Sequence, residues 1–134
     1  MKIRARPISG GIADGIAVVS RNPVSFLGDV DPETGEVVDR SSDIFGERIS
    51  GKIFVFPEGR GSTVGTYVLL QMKKKGTAPA GIIMLESEAI VAVGAIISGI
   101  PLVDRPEIDV LEVIENGDSL RIISGKEGWI EIDR

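Results

Sequence analysis

The chain has no cysteine and no histidine among its 134 residues. Without thiols it can form no disulfide, no thiolate nucleophile and no cysteine-held iron–sulfur cluster from its own residues. Without imidazoles it offers no serine–histidine pair and no histidine-held metal. Any redox-metal or acid–base chemistry in which it takes part therefore calls for another chain to supply much of the site. Aromatic residues make up only 4%, the formal charge is −5, and no basic patch is interleaved with aromatics. Nucleic acid is excluded as an expected partner on that ground. The longest apolar stretches, such as Ala89 to Ile97, are too short to span a bilayer, so no membrane partner is expected. Met1-Lys2-Ile3-Arg4-Ala5-Arg6 lacks the apolar core of a signal peptide, and the expected location is cytoplasmic.

What is present suits a single compact domain over residues 1–134, with 43% apolar and 26% charged residues. Residues 2 to 8 and 12 to 20 read as two strands around Gly10-Gly11. Phe26 to Val30 reads as a short strand, and Asp31-Pro32-Glu33-Thr34-Gly35 as the turn of a hairpin that returns through Glu36-Val37-Val38. The acids of that turn lack the spacing and terminal glutamate of a calcium loop. Asp39 to Ser50 is a polar, irregular loop.

The chain then becomes regular. Lys52 to Phe56 is an apolar strand of the kind buried on both faces. A helix follows through Tyr67 to Lys75, with Gly76 as its stop and Lys73-Lys74-Lys75 as a solvated end. Gly81 to Leu85, a small-residue helix from Ala89 to Ser98 closed by Gly99, and Ile100 to Val103 complete a strand–helix–strand–helix–strand series. That spacing implies a right-handed, parallel βαβαβ core. Three further strands are expected at Val110–Ile114, Ser119–Ile123 and Gly128–Ile132, with Asn116-Gly117 as a hairpin signal. The predicted class is α/β, with a β-rich or barrel-like layer joined by the N-terminal strands.

The chemistry concentrates in Pro57-Glu58-Gly59-Arg60-Gly61-Ser62-Thr63-Val64-Gly65-Thr66, between the first core strand and its helix. Glycines at 59, 61 and 65 allow sharp turning and close approach to a ligand. Ser62 or Thr63 is expected at the helix N-cap, where a hydroxyl can cap, hold an anion or exchange a proton. A Walker A loop would need a lysine before its hydroxyl residue, and Gly61 stands there instead. The glycines at 59, 61 and 65 also miss the dinucleotide G-x-G-x-x-G pattern. Arg60, Gly61 and Thr63 form a candidate set for carboxylate or phosphate. Arg60 can equally be a solvent-side ion pair, and Ser62 a structural cap.

These residues resemble the small subunit of the aconitase X family, whose archaeal members are phosphomevalonate dehydratases. The resemblance rests on Val30 to Gly35, Pro57 to Gly65, Ala89 to Ile97 and Ile100 to Asp104, and it weakens after Pro106. It implies a swivelling β/β/α domain and a large partner subunit whose cysteines hold an iron–sulfur cluster, this chain binding no cofactor itself. It places the proton-accepting serine of the aconitase superfamily at Ser62. Thr63-Val64-Gly65 replaces the Ser-Arg-Glu that follows that serine in ordinary aconitases, so citrate specificity does not carry over. The implied substrate is a phosphorylated carboxylate, 5-phosphomevalonate, dehydrated with a cluster iron acting on the departing hydroxyl. A hydroxyproline dehydratase subunit, or a non-catalytic module closing over a partner's site, are the alternative expectations.

Overall fold

Ile53-Phe54-Val55-Phe56 alternates its side chains between two apolar compartments, and all four residues are fully buried. In the computed structural model, which describes residues 1–133, this strand is β3 (Ile53–Phe56). It is preceded by β1 (Lys2–Ser9), β2 (Gly11–Val19) and a single helical turn, α1 (Phe26–Asp29). After it come α2 (Gly65–Lys75), β4 (Gly81–Met84), α3 (Ala89–Ser98), β5 (Leu102–Asp104), α4 (Val110–Val113), β6 (Ser119–Ser124) and β7 (Gly128–Asp133).

Among the described residues, seven strands close into a barrel in the order β1-β5-β4-β3-β2-β6-β7. The expected βαβαβ unit is there, with β3 parallel to β4 and β4 parallel to β5. β2 extends the parallel set on the other side of β3. β1, β6 and β7 join by antiparallel pairing, so the β-rich layer and the parallel sheet are two arcs of one closed sheet. β1 and β2 are consecutive but do not pair with each other; β1 lies between β5 and β7, and β2 between β3 and β6.

The two compartments explain the continuous apolar runs. Ile53 and Val55 point into the barrel with Ile83, Val103, Leu120, Ile122 and Ile130. Phe54 and Phe56 point outward, under α2 and α3, with Leu69, Met72, Met84 and Val91. Gly94 lets the helices approach: a Cβ there would lie 3.2 Å from a Leu69 methyl and 3.4 Å from the Thr66 backbone. Left-handed Gly76 and Gly99 end α2 and α3 where expected, each returning amide bonds to the last turn.

Three local expectations are corrected. Val110 to Ile114 forms the turn α4 rather than a strand. Asp109 caps it by accepting the Leu111 amide, and Val110, Leu111 and Ile114 enter the barrel core at helical spacing. Asn116-Gly117 is consequently no hairpin between strands. Asn116 Oδ1 accepts the Val19 amide and Gly117 donates to Ala17, which ties this turn to β2. Phe26 to Val30 is likewise not a strand: Gly28 at φ 102° breaks extension, and one bridge, Val30 to Val37, remains of the hairpin. Phe26 instead drives its ring into the outer core, edge-on to Phe54 and Phe56 at 6.2 and 6.1 Å.

Candidate active site

Parallel strands leave their C-terminal ends as an edge where loops meet helix N-termini, the usual place for a ligand. Here the ends of β3, β4 and β5 are stitched together. The Leu85 and Glu86 amides both donate to the Pro57 carbonyl, and the Arg105 amide donates to Leu85. The Gly59–Thr66 stretch rises from this edge and enters α2.

Its first limb is fixed by pairing with the segment before α1. Val24 donates to Glu58 and Arg60 donates back to Val24, both at 3.0 Å. Gly61 then turns at φ 93° against Ser25, where a Cβ would lie 2.6 Å from Ser25 Oγ. Gly59 packs on Glu88, the α3 N-cap, whose carboxylate accepts the Ile90 and Val91 amides. Thr66 Oγ1 donates to the Ile90 carbonyl at 2.7 Å, joining the first turns of the two helices.

Ser62 is half-buried, and Thr63 is exposed. The expected N-cap lies elsewhere, at Val64, because a turn precedes the helix: Gly65 donates to the Ser62 carbonyl and Thr66 to that of Thr63. Ser62 Oγ accepts the Val64 amide at 3.1 Å, which leaves its proton free to leave. That amide and the positive end of α2 both favour negative charge on the oxygen. The Gly61, Ser62 and Thr63 amides make no hydrogen bond within the described residues, so they remain open to a ligand.

Arg60 is engaged by carboxylates of this chain. Its Nη2 lies 2.9 and 3.1 Å from the two Asp29 oxygens and 3.4 Å from Asp39, and its Nε donates to the Pro23 carbonyl. One guanidinium thus faces two carboxylates. The Ser41 hydroxyl and amide, and then the Arg60 charge, hold the Asp39 carboxyl below the usual range. A cavity of about 240 Å³ opens behind this cluster, floored by Phe54, Val24, Val30 and Ile44, and Ser62 is not in its wall. Ser62 is half-buried, and its hydrogen bond from the Val64 amide is exposed.

A second polar cluster stands at the end of β5. Asp104 is fully buried, accepts two bonds from Arg6 at 2.8 Å, and accepts the Ser87 amide and hydroxyl. Beside it Arg105, at φ 46°, pairs with Glu86 through two bonds of 2.8 Å. Sequence reasoning missed Asp29, Asp104 and Arg6, whose oppositely charged partners lie 31 to 98 residues away along the chain. Among the described residues, no group of three or more histidine, cysteine, aspartate or glutamate side chains could hold a metal. With no cysteine or histidine in the sequence, the chain supplies neither the thiolates nor the imidazoles that hold iron–sulfur clusters. No helix of the described residues is long and apolar enough to cross a membrane.

The structure is a barrel with two helices on its outer face, and Ser62 lies in the loop that leads from the β3 edge into α2. The chain belongs to the aconitase X family: the family model for the aconitase X swivel domain matches residues 2–132. It is 54% identical over 132 residues to the phosphomevalonate dehydratase small subunit of Methanosarcina mazei, covering 98% of this chain and 91% of that protein. The protein of the same name from Pyrococcus furiosus is also 54% identical, with 98% and 96% covered. The crystal structure of Thermococcus kodakaraensis aconitase X in its holo-form superposes with a TM-score of 0.94 at 51% identity, covering 100% of this chain and 99% of that one.

Proposed function

We propose that this chain is the small subunit of a dehydratase that converts (R)-5-phosphomevalonate to trans-anhydromevalonate 5-phosphate, with Ser62 as proton acceptor. The observation that carries the reading is the Ser62 hydroxyl, which accepts the Val64 amide N–H through an exposed hydrogen bond just before α2. Near-complete coverage of relatives named as small subunits of that enzyme supports the substrate assignment. The Ser62 alkoxide would take the proton from the carbon next to the carboxylate. The electron pair left behind forms the double bond as the neighbouring hydroxyl departs, and Ser62 passes the abstracted proton to that hydroxide, which leaves as water and restores the alkoxide.

Serine is a weak base, and this chain has no histidine to activate it. The Val64 amide and the helix dipole supply stabilisation from this side, while Arg60 is already engaged by Asp29 and Asp39. Further positive charge falls to the larger subunit, as does any iron–sulfur cluster, since no thiol or imidazole exists here. Exposed apolar side chains just beyond the site, Val64 and Tyr67 on α2 and Val93, Ile96 and Ile97 on α3, support engagement by a partner chain.

The isolated chain is expected to be folded, colourless and inactive. Co-expressed with its larger subunit, it should give a brown heterodimer that dehydrates 5-phosphomevalonate, with iron in proportion to the partner. An iron–sulfur absorption band from this chain alone, or a larger subunit fully active by itself, would overturn the reading.

A further inference from the structure

We infer that Arg60 and Asp29 form a latch that holds the Ser62 loop at its working height, and that Asp29 is a positioning residue for the reaction. The inference rests on the reading of Ser62 as proton acceptor and assigns Arg60 to the loop rather than to the substrate.

The latch is a closed set of contacts. Asp29 is only 15% exposed at its side chain, and both its oxygens accept from Arg60. Its Oδ2 also accepts the Ser25 amide at 2.8 Å. Ser25 Oγ donates to the Leu27 carbonyl and lies directly under Gly61. The turn bearing Ser25 and Asp29 is itself pinned to the barrel by the buried Phe26 ring. A continuous path of contacts therefore runs from the core through Phe26, Asp29 and Arg60 to Gly61 and Ser62.

Charge points the same way. The single positive charge of Arg60 faces the carboxylates of Asp29 and Asp39, so the cluster carries net negative charge. An anionic substrate would have to displace two carboxylates to reach the guanidinium. The loop needs such a restraint, because Gly59 and Gly61 leave it many backbone conformations to lose. An error of about 1 Å in the placement of a reacting group can cost about 10²-fold in rate.

The test uses the complex of this chain with its larger subunit, assayed on 5-phosphomevalonate. Arg60→Lys keeps the charge but loses the planar fork that engages Asp29. Asp29→Asn keeps the shape and loses the charge. Each should lower kcat roughly ten- to a hundredfold with KM changed less than about threefold, and the double variant should be no worse than the worse single. The exchange Arg60→Asp with Asp29→Arg should recover at least part of the lost kcat. Amide hydrogen exchange across residues 58–66 of the complex should be faster in both single variants, a readout independent of substrate. A tenfold rise in KM for Arg60→Lys with unaltered kcat, or normal kcat for Asp29→Asn with unchanged exchange, overturns the latch. An inactive wild-type complex, or one indifferent to Ser62→Ala, overturns the functional reading instead, and the exchange measurement still decides the latch.

Discussion

Replacing Ser62 with alanine is expected to lower turnover of the assembled enzyme roughly 10²- to 10⁴-fold, the usual contribution of a positioned base. The complex should still form, because the side chain makes a single hydrogen bond, to the Val64 amide on the solvent side of the loop. Its loss should cost about 0.5–1 kcal/mol, since water can reach that amide. Thr63 is the control. It is exposed, and its hydroxyl makes no hydrogen bond within the described residues, so Thr63→Ala should alter turnover less than about threefold. The two variants together separate a base from a generic polar loop. Loss of turnover in Thr63→Ala with normal Ser62→Ala would move the assignment by one residue. Indifference to both would place the base on the partner. The measurement is steady-state dehydration by the purified heterodimer, with iron content and subunit ratio checked for each variant.

The pH dependence of the same reaction follows from the geometry. An alkoxide stabilised by one amide and a helix end remains a strong base, so turnover should rise with pH over the neutral range. Ser62→Ala should flatten that rise, because among the described residues no titrating side chain bonds the hydroxyl.

Much of this fold is legible in the amino-acid order because the parallel core obeys local rules. Ile53–Phe56 and Gly81–Met84 must be apolar on both faces when a barrel lies inside them and helices outside, and such runs stand out in a sequence. Gly76 and Gly99 mark helix ends for a reason confined to their own φ angles. The elements that resist such reading are decided at a distance. Val110-Leu111-Glu112-Val113-Ile114 suits a strand by composition, yet it turns helical because the barrel needs closing there and Asp109 can cap the turn. Phe26 to Val30 fails as a strand because the Phe26 ring finds Phe54 and Phe56, some thirty residues away, a better partner than a hairpin. The site divides similarly. The glycine spacing around Ser62 announces a loop that binds or reacts, but nothing local says that Arg60 turns back onto Asp29 or that Val64, not Ser62, heads the helix.

Asp104→Ala is expected to give the largest loss of stability among the polar substitutions considered, about 3 kcal/mol, lowering Tm by roughly 10 °C. The carboxylate is fully buried at the end of β5, and its removal abandons two bonds from Arg6 and two from Ser87. Arg6 is partly exposed and can recover water, which keeps the cost below that of a wholly buried pair. Burial by itself would raise the Asp104 pKa, but the bonds from Arg6 and Ser87 outweigh it and hold the carboxyl below its usual value. A depressed carboxyl contributes its stability above the unfolded pKa of about 3.9 and loses it as pH falls through the folded value. The difference between wild type and Asp104→Asn should therefore be full at pH 7 and shrink below about pH 4. The nearby Glu86–Arg105 pair is exposed on both sides, and Glu86→Gln should change stability little. The effect also reaches the active edge. Ser87 precedes Glu88, the α3 cap on which Gly59 rests, so loosening Asp104 removes support from behind the Ser62 loop. Turnover of an Asp104→Ala complex should fall, but by less than in Ser62→Ala, because the base itself remains. Urea unfolding of the isolated chain at pH 7 and pH 3 would check the energetic part. A loss under 1 kcal/mol at pH 7 would mean that Arg6 and Ser87 recover their partners in water, and that the β5 edge is held by the backbone bond from Arg105 to Leu85 instead.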